Sequence, residues 1–157
     1  MILYHGSTLP IEQPDIAFSR QKVDFGQGFY TTPLKQQALN WAARFKKLNK
    51  PAFVNCYEFD ESLFKVFHTK EFSSYNEEWL DFIVANRTEQ AVELFDIVIG
   101  GVVNDRVFNT LELFLENLIS KKEALGRLIY EENNLQICFK TQSVIEQHLI
   151  FIGSEKL

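Results

Sequence analysis

The chain has 157 residues, 46% hydrophobic and 14% aromatic with fifteen phenylalanines, enough apolar material for a single domain over 1–157 that needs no metal or disulfide staple. A formal net charge of -5 argues against a surface built chiefly to hold a nucleic-acid backbone, and no stretch has the length and apolarity of a membrane span or signal peptide. Cys56 and Cys138 stand alone in strand-like segments, so they read as small reduced core residues and the chain as a soluble, cytoplasmic protein.

Ile2 to Ser7 reads as a strand that Gly6 bends or ends, with His5 near its end. Thr8 to Asp24 carries Pro10 and Pro14 and reads as a loop, and Arg20 and Lys22 bring positive charge just ahead of the turn Phe25-Gly26-Gln27-Gly28. The run Phe29 to Thr32 has strand character. Side chains alternate along a strand, so Phe29 and Tyr30 face opposite ways and only one of them belongs to the core. After Pro33, the spacing of Ala38, Trp41, Ala42, Phe45 and Leu48 predicts a helix. Ala52 to Asp60 and Leu63 to His68 read as two strands of a hairpin. Asn76 caps a helix from Glu77 to Arg87, and Asp96 to Val103 is a strand broken by Gly100-Gly101 and followed by the polar corner Asn104-Asp105-Arg106. Helices are expected over Leu111 to Ile119 and Glu123 to Glu131. The chain then turns at Asn133-Asn134 into Leu135 to Lys140, where alternation sets Gln136 on the face opposite Leu135, Ile137 and Phe139. A short helical turn over Ser143 to Gln147 and a last strand, Leu149 to Ile152, complete the chain.

Taken singly, these residues decide little. His5, His68 and His148 have no partners at metal-ligand spacing, so no metal is expected, and no serine or cysteine sits in a nucleophile elbow. Their order decides more. A strand ending Tyr4-His5-Gly6-Ser7, then Phe25-Gly26-Gln27-Gly28-Phe29-Tyr30, a helix bearing Trp41, and a late strand opening at Gln136 together resemble the diphtheria-toxin-like, PARP-like branch of the ADP-ribosyltransferases. The chain is also similar to a group of bacterial domains of unknown function in that superfamily, often encoded beside small partner genes. The resemblance implies an α+β split β-sandwich, two small sheets with flanking helices, and NAD as co-substrate.

Carried over position by position, the resemblance makes His5, Tyr30 and Gln136 the catalytic set. His5 would bond ribose hydroxyls of NAD on the adenosine or the nicotinamide side, the Gly6 backbone would hold the carboxamide, and Tyr30 would stack on the nicotinamide. Ser7 and Gly28 complete the two motifs. Trp41 stands where a second aromatic wall is common, although its helix face equally suits a core role, and Arg20 is a candidate for the pyrophosphate by charge alone. Asp24, Asp105 and Arg106 are polar neighbours with no assigned role. The departure is Gln136, where the family places a glutamate: an amide keeps a hydrogen bond but carries no charge, a loss worth about 3–4 kcal/mol of transition-state stabilisation. The resemblance therefore implies a mono-ADP-ribosyltransferase acting on a protein or nucleic-acid acceptor, as the toxin of a toxin-antitoxin pair restrained by a small antitoxin protein. The alternatives are an inactive module of the same fold that binds NAD, ADP-ribose or a partner, and a structural domain without a nucleotide.

Overall fold

A computed structural model describes residues 1–90, 93–101, 103, 105–128 and 134–157. Its elements in chain order are β1 (Ile2–Ser7), β2 (Phe29–Thr31), α1 (Lys35–Lys47), β3 (Phe53–Glu58), β4 (Thr69–Glu71), α2 (Glu77–Arg87), β5 (Ile97–Gly100), α3 (Asp105–Leu115), α4 (Lys121–Leu128), β6 (Gln136–Phe139), α5 (Gln142–His148) and β7 (Ile150–Lys156). The strands form two sheets, one in the order β1-β3-β7 and the other in the order β2-β6-β5-β4. This is the α+β, two-sheet architecture that the sequence predicts.

Alternation along the strands builds the layers. Leu3 and Tyr57 of the first sheet meet Phe29, Ile97, Ile99, Ile137 and Phe139 of the second, closing an apolar sandwich to which α5 adds Val144 and Ile145. The other face of the second sheet, bearing Val98 and Cys138, is covered by Trp79, Leu80 and Ile83 of α2, Val107 and Leu111 of α3, and Ala124 and Leu128 of α4. On the outer face of the first sheet, α1 sets Ala38 and Ala42 against Ala52 and Val54. That helix comes close enough that a Cβ on Gly6 would stand 2.8 Å from the Ala38 carbonyl oxygen.

Helix α2 starts where its cap predicts, with the Asn76 side chain accepting from the Trp79 N–H at 2.8 Å, and Glu77, Glu78 and Arg87 sit at the ends that suit the helix dipole. The hairpin expected from Ala52 to His68 does not form. The Asp60 carboxylate accepts from the Ser62 N–H at 2.9 Å and turns the chain into a 3-10 helix, Glu61–Lys65, from which Leu63 and Phe64 reach the sandwich. The strand follows later as β4 and lies parallel to β5 in the other sheet, with Thr69 opposite Ile97. Helix α3 begins at Asp105, inside the expected polar corner, and ends at Leu115. Asn104 and Asn133 lie outside the described residues, as do the last residues of the helix expected to reach Glu131.

Ile137 joins the two sheets through one core, whereas Ile150 is 61% exposed. Ile137→Ala should lower the unfolding free energy by about 2–5 kcal/mol in urea titrations, and Ile150→Ala by no more than about 0.5 kcal/mol. Equal losses would count against a shared sandwich core.

Candidate functional site

The two sheets are stitched together where β1 passes β2. Tyr4 and Thr32 exchange N–H to carbonyl hydrogen bonds of 2.8 and 2.9 Å as an isolated antiparallel bridge. Along an extended strand, successive residues turn their N–H and C=O to opposite edges. Because Tyr4 turns its pair toward β2, Gly6 does so too, and continuing the register from Tyr4–Thr32 sets Gly6 opposite Tyr30. The ladder is not continued there. Among the described residues no hydrogen bond reaches the Gly6 N–H or C=O on that edge. The Tyr30 carbonyl is taken instead by the His5 ring, with Nδ1 at 2.6 Å.

A carbonyl only accepts, so in neutral His5 the proton is on Nδ1 and Nε2 carries the lone pair. Burial lowers the His5 pKa below its ordinary value, and the hydrogen bond to the Tyr30 carbonyl works in the other direction. The ring packs on Phe29 at 4.6 Å between centroids. Phe29 thereby belongs to the sandwich core, while Tyr30 faces the other way and packs against the second core, so both rings of the pair meet a core where the sequence predicts only one.

Tyr30 lies opposite Cys138 in the β2–β6 ladder, and Cys138 is two residues from Gln136, so the Tyr30 and Gln136 side chains share one face of the second sheet. The Tyr30 hydroxyl donates to the Gly26 carbonyl at 2.5 Å and accepts from the Phe25 N–H at 3.1 Å, which fixes the ring against the glycine turn. Burial raises its pKa far above the phenol range, with the Cys138 thiol next in effect, so it stays protonated. Burial likewise pushes Cys138 up to about 12. The turn has two steric requirements. Gly26 takes φ +75°, in the left-handed region, and a Cβ on Gly28 would stand 2.5 Å from Cys138 Sγ and 2.7 Å from the Phe139 carbonyl oxygen. Lys140 closes the turn from behind, its ammonium donating to the Phe25 carbonyl and, at 3.3 Å, to that of Gln27; burial lowers its pKa.

Gln136 is not the open cleft residue that alternation suggests. It is 8% exposed, because this face of the sheet carries a second core under α2, α3 and α4. Its Nε2 donates to Asp24 Oδ2 at 3.4 Å. Asp24 also takes the Val103 N–H on Oδ2 at 3.3 Å and two Arg87 nitrogens on Oδ1, at 2.6 and 3.2 Å.

Of the remaining sequence candidates, Gly28 backs onto this face at Cys138, and Ser7, Trp41 and Arg20 are placed apart from it. Ser7 donates to the Leu9 carbonyl at 2.5 Å and accepts from Asn55 Nδ2 at 2.8 Å, so its one proton is spent on the loop that follows β1. Gly28 lets β2 approach β6 and gives its N–H to Ser19 Oγ at 3.0 Å. Trp41 is 43% exposed, with the Arg44 guanidinium 5.0 Å from its ring. It stands on the α1 side of Gly6, across β1 from the His5 ring. Arg20 is exposed in the loop before the turn.

Asp24 was legible only as a polar residue beside the turn. Arg87, Asn55 and Lys140, which tie the site together, carry no motif at all. A cavity of about 240 Å³ lies elsewhere, on the outer face of the first sheet beside Tyr4, Lys35, Cys56 and Glu155. Of the residues assembled here only Tyr4 lines it; His5, Gly6, Asp24, Tyr30 and Gln136 do not. Among the described residues no helix is long and apolar enough to cross a membrane.

The depressed His5 pKa has a definite sign in stability. The folded chain keeps His5 neutral, whereas the unfolded chain protonates it near pH 6.5, so this contribution is present above about pH 6.5 and is lost as the pH falls toward the folded value. In urea titrations stability should fall from pH 7.5 to 5 (roughly the His window) more steeply in the natural protein than in His5→Asn, whose amide keeps the bond to Tyr30. Equal slopes would assign the dependence to other groups.

A search of curated proteins and a search of solved structures each returned no match. Residues 1–151 match a family model described as protein of unknown function (DUF3990), a span that takes in His5, Gly6, the glycine turn, Tyr30, Asp24 and Gln136. The chain therefore belongs to the DUF3990 family.

Proposed function

We propose that the protein is an NAD-dependent mono-ADP-ribosyltransferase, a reading carried by the unpaired edge of Gly6 opposite Tyr30. A primary carboxamide is flat and offers one N–H donor beside one C=O acceptor. The Gly6 N–H and C=O on one strand edge are its complement, in a gap whose far side is held by an aromatic residue with an anchored ring. The nicotinamide of NAD is such a group, and its ring suits stacking on Tyr30.

The remaining contacts follow from the groups in place. His5 Nε2 accepts from a ribose hydroxyl, because Nδ1 is committed to the Tyr30 carbonyl. Gln136 Oε1 accepts from the hydroxyl next to the bond that breaks. When the glycosidic C–N bond of nicotinamide ribose breaks, its electron pair returns to the ring nitrogen and positive charge develops on the ribose. An amide dipole stabilises that charge less than a carboxylate does. Nor does an amide take the proton that an incoming hydroxyl must lose, so the reading is transfer of single ADP-ribose units to an acceptor that needs little help as a nucleophile, and no polymers.

A second reading is a module of the same fold that binds NAD, ADP-ribose or a partner protein without transfer. The burial and neutrality of Gln136 favour it. Under the first reading the protein is a cytoplasmic toxin acting on a protein or nucleic-acid acceptor, and a small co-encoded antitoxin protein covers the site.

Calorimetry separates the carboxamide contact from the chemistry. NAD should bind, and nicotinic acid adenine dinucleotide should bind at least about tenfold more weakly, because its carboxylate faces the Gly6 carbonyl with no proton to give. Tyr30→Ala should cost roughly 1–3 kcal/mol of NAD affinity if base-type stacking applies. Equal affinity for the two dinucleotides would remove Gly6 from the carboxamide role.

Incubation with labelled NAD and cell lysate tests transfer and resolves labelled protein from labelled nucleic acid. Label should be incorporated as single units and be lost in Gln136→Ala, and expression alone should arrest growth until a co-encoded partner is supplied. NAD binding without label would favour the binding module. Normal growth at high levels of folded protein would count against a toxin.

A further inference from the structure

We propose that Asp24 is a positioning residue for Gln136, holding the amide so that Nε2 is spent within the fold and Oε1 is the end presented to the ligand. The two ends of a glutamine amide are nearly the same size, so packing alone does not choose between them. A carboxylate chooses, because an ionised carboxylate only accepts. With Nε2 3.4 Å from Asp24 Oδ2, the donor end of Gln136 is turned inward, and among the described residues nothing donates to Oε1.

Asp24 is itself prevented from rotating. Arg87 grips Oδ1 with two nitrogens at 2.6 and 3.2 Å, and the Val103 N–H holds Oδ2 at 3.3 Å. The Arg87 guanidinium is fixed in turn against the Phe108 ring at 5.3 Å. Loop, α2, the segment after β5 and β6 thus converge on one carboxylate whose side chain is 14% exposed.

The consequence at the site, which rests on the transferase reading above, is that a neutral glutamine performs the accepting half of a glutamate's work. Facing the ligand with Oε1, it takes the proton of a ribose hydroxyl as its hydrogen-bond partner and directs oxygen lone pairs toward the developing charge. Facing it with Nε2, it would donate to the same oxygen and oppose that charge. Asp24 touches no reacting atom in this scheme.

The test is a four-protein cycle of the full chain: natural, Asp24→Asn, Gln136→Glu, and both changes together. Gln136→Glu alone sets two carboxylates against each other, and its melting midpoint should fall by roughly 4 °C or more. Adding Asp24→Asn supplies a donor to the new carboxylate while its amide oxygen still accepts from Arg87; only the 3.3 Å bond from the Val103 N–H is given up, so the double variant should regain at least about half of that loss. If Gln136→Glu fails to fold, recovery of folding in the double variant is the same result. A double variant no more stable than Gln136→Glu overturns the pairing.

These measurements need no NAD. With NAD, Asp24→Asn frees the amide to turn and should lower kcat at least about tenfold while KM for NAD stays within about threefold, and the double variant should recover kcat. Full kcat in Asp24→Asn overturns the positioning role. Stability coupling in a protein that neither binds NAD nor transfers would uphold the orientation of the amide and overturn the transferase reading instead.

Discussion

Two backbone hydrogen bonds between Tyr4 and Thr32 set the geometry of everything around them, because they lock the register of one sheet to that of the other. Once that register is fixed, strand alternation leaves no choice. Tyr4 spends its N–H and C=O on β2, Gly6 turns its own pair to the same edge, and His5 between them projects its ring toward Phe29. The short span of the bridge matters as much as its presence. A longer ladder would have paired Gly6 with Tyr30 and closed the gap, whereas here the His5 ring bridges to the Tyr30 carbonyl and keeps the strands together without occupying the Gly6 edge.

The electrostatics of the region follow from burial more than from net charge. Burial keeps His5 neutral, Tyr30 protonated and Cys138 as a thiol, so none of the three supplies an anion near neutral pH. The charges that remain are bound to structure: Lys140 to turn carbonyls, and Arg87 to Asp24. A buried ion pair is costly to desolvate and costlier to break, which makes the Asp24–Arg87 contact a means of fixing geometry more than a source of stability. It joins the glycine turn to the last turn of α2, two segments 63 residues apart.

How much of this the sequence carries depends on the range of each interaction. Short-range signals were readable: the Asn76 cap, the apolar face of α1 at Ala38 and Ala42, the strand at Ile2–Ser7, and the alternation that sends Ile137 and Phe139 into the sandwich. The reading of Leu63 to His68 as a strand failed because the Asp60 hydrogen bond to Ser62 overrode β-propensity, and the 3-10 turn packs Leu63 and Phe64, both half-buried, against the sandwich. Trp41 followed the helix period onto the expected face, where one edge of its ring lies beside Gly6 next to the Ala38 and Ala42 backbone, yet the rest of it stays half open. Gln136 was correctly separated from Ile137 and Phe139, but alternation says only which face a side chain takes. Whether that face meets solvent or a second core depends on α2, α3 and α4, which is tertiary information. For the same reason Asn55, Arg87 and Lys140 were not found and Asp24 was noted without a role: their partners are distant in sequence, and no local spacing marks them.

The pairing of Asp24 with Gln136 bears on why an amide is tolerable at a position where, on the transferase reading proposed above, a carboxylate would serve chemistry better. At 3.4 Å from Asp24 Oδ2, a glutamate would face a second carboxylate that is already committed to Arg87, and one of the two would have to take up a proton or move. One guanidinium neutralises one carboxylate. With Asp24 holding the turn to α2, the neutral residue is the one that leaves the buried cluster balanced, and the negative charge is kept one hydrogen bond behind the site instead of within it. An amide whose donor end is bonded to an anion is polarised by it, which makes its oxygen a better acceptor than that of a free glutamine. The loop carboxylate and the strand amide therefore act as one unit, whose charge is fixed by the fold and which, on the proposed reading, would offer a ligand a single oxygen.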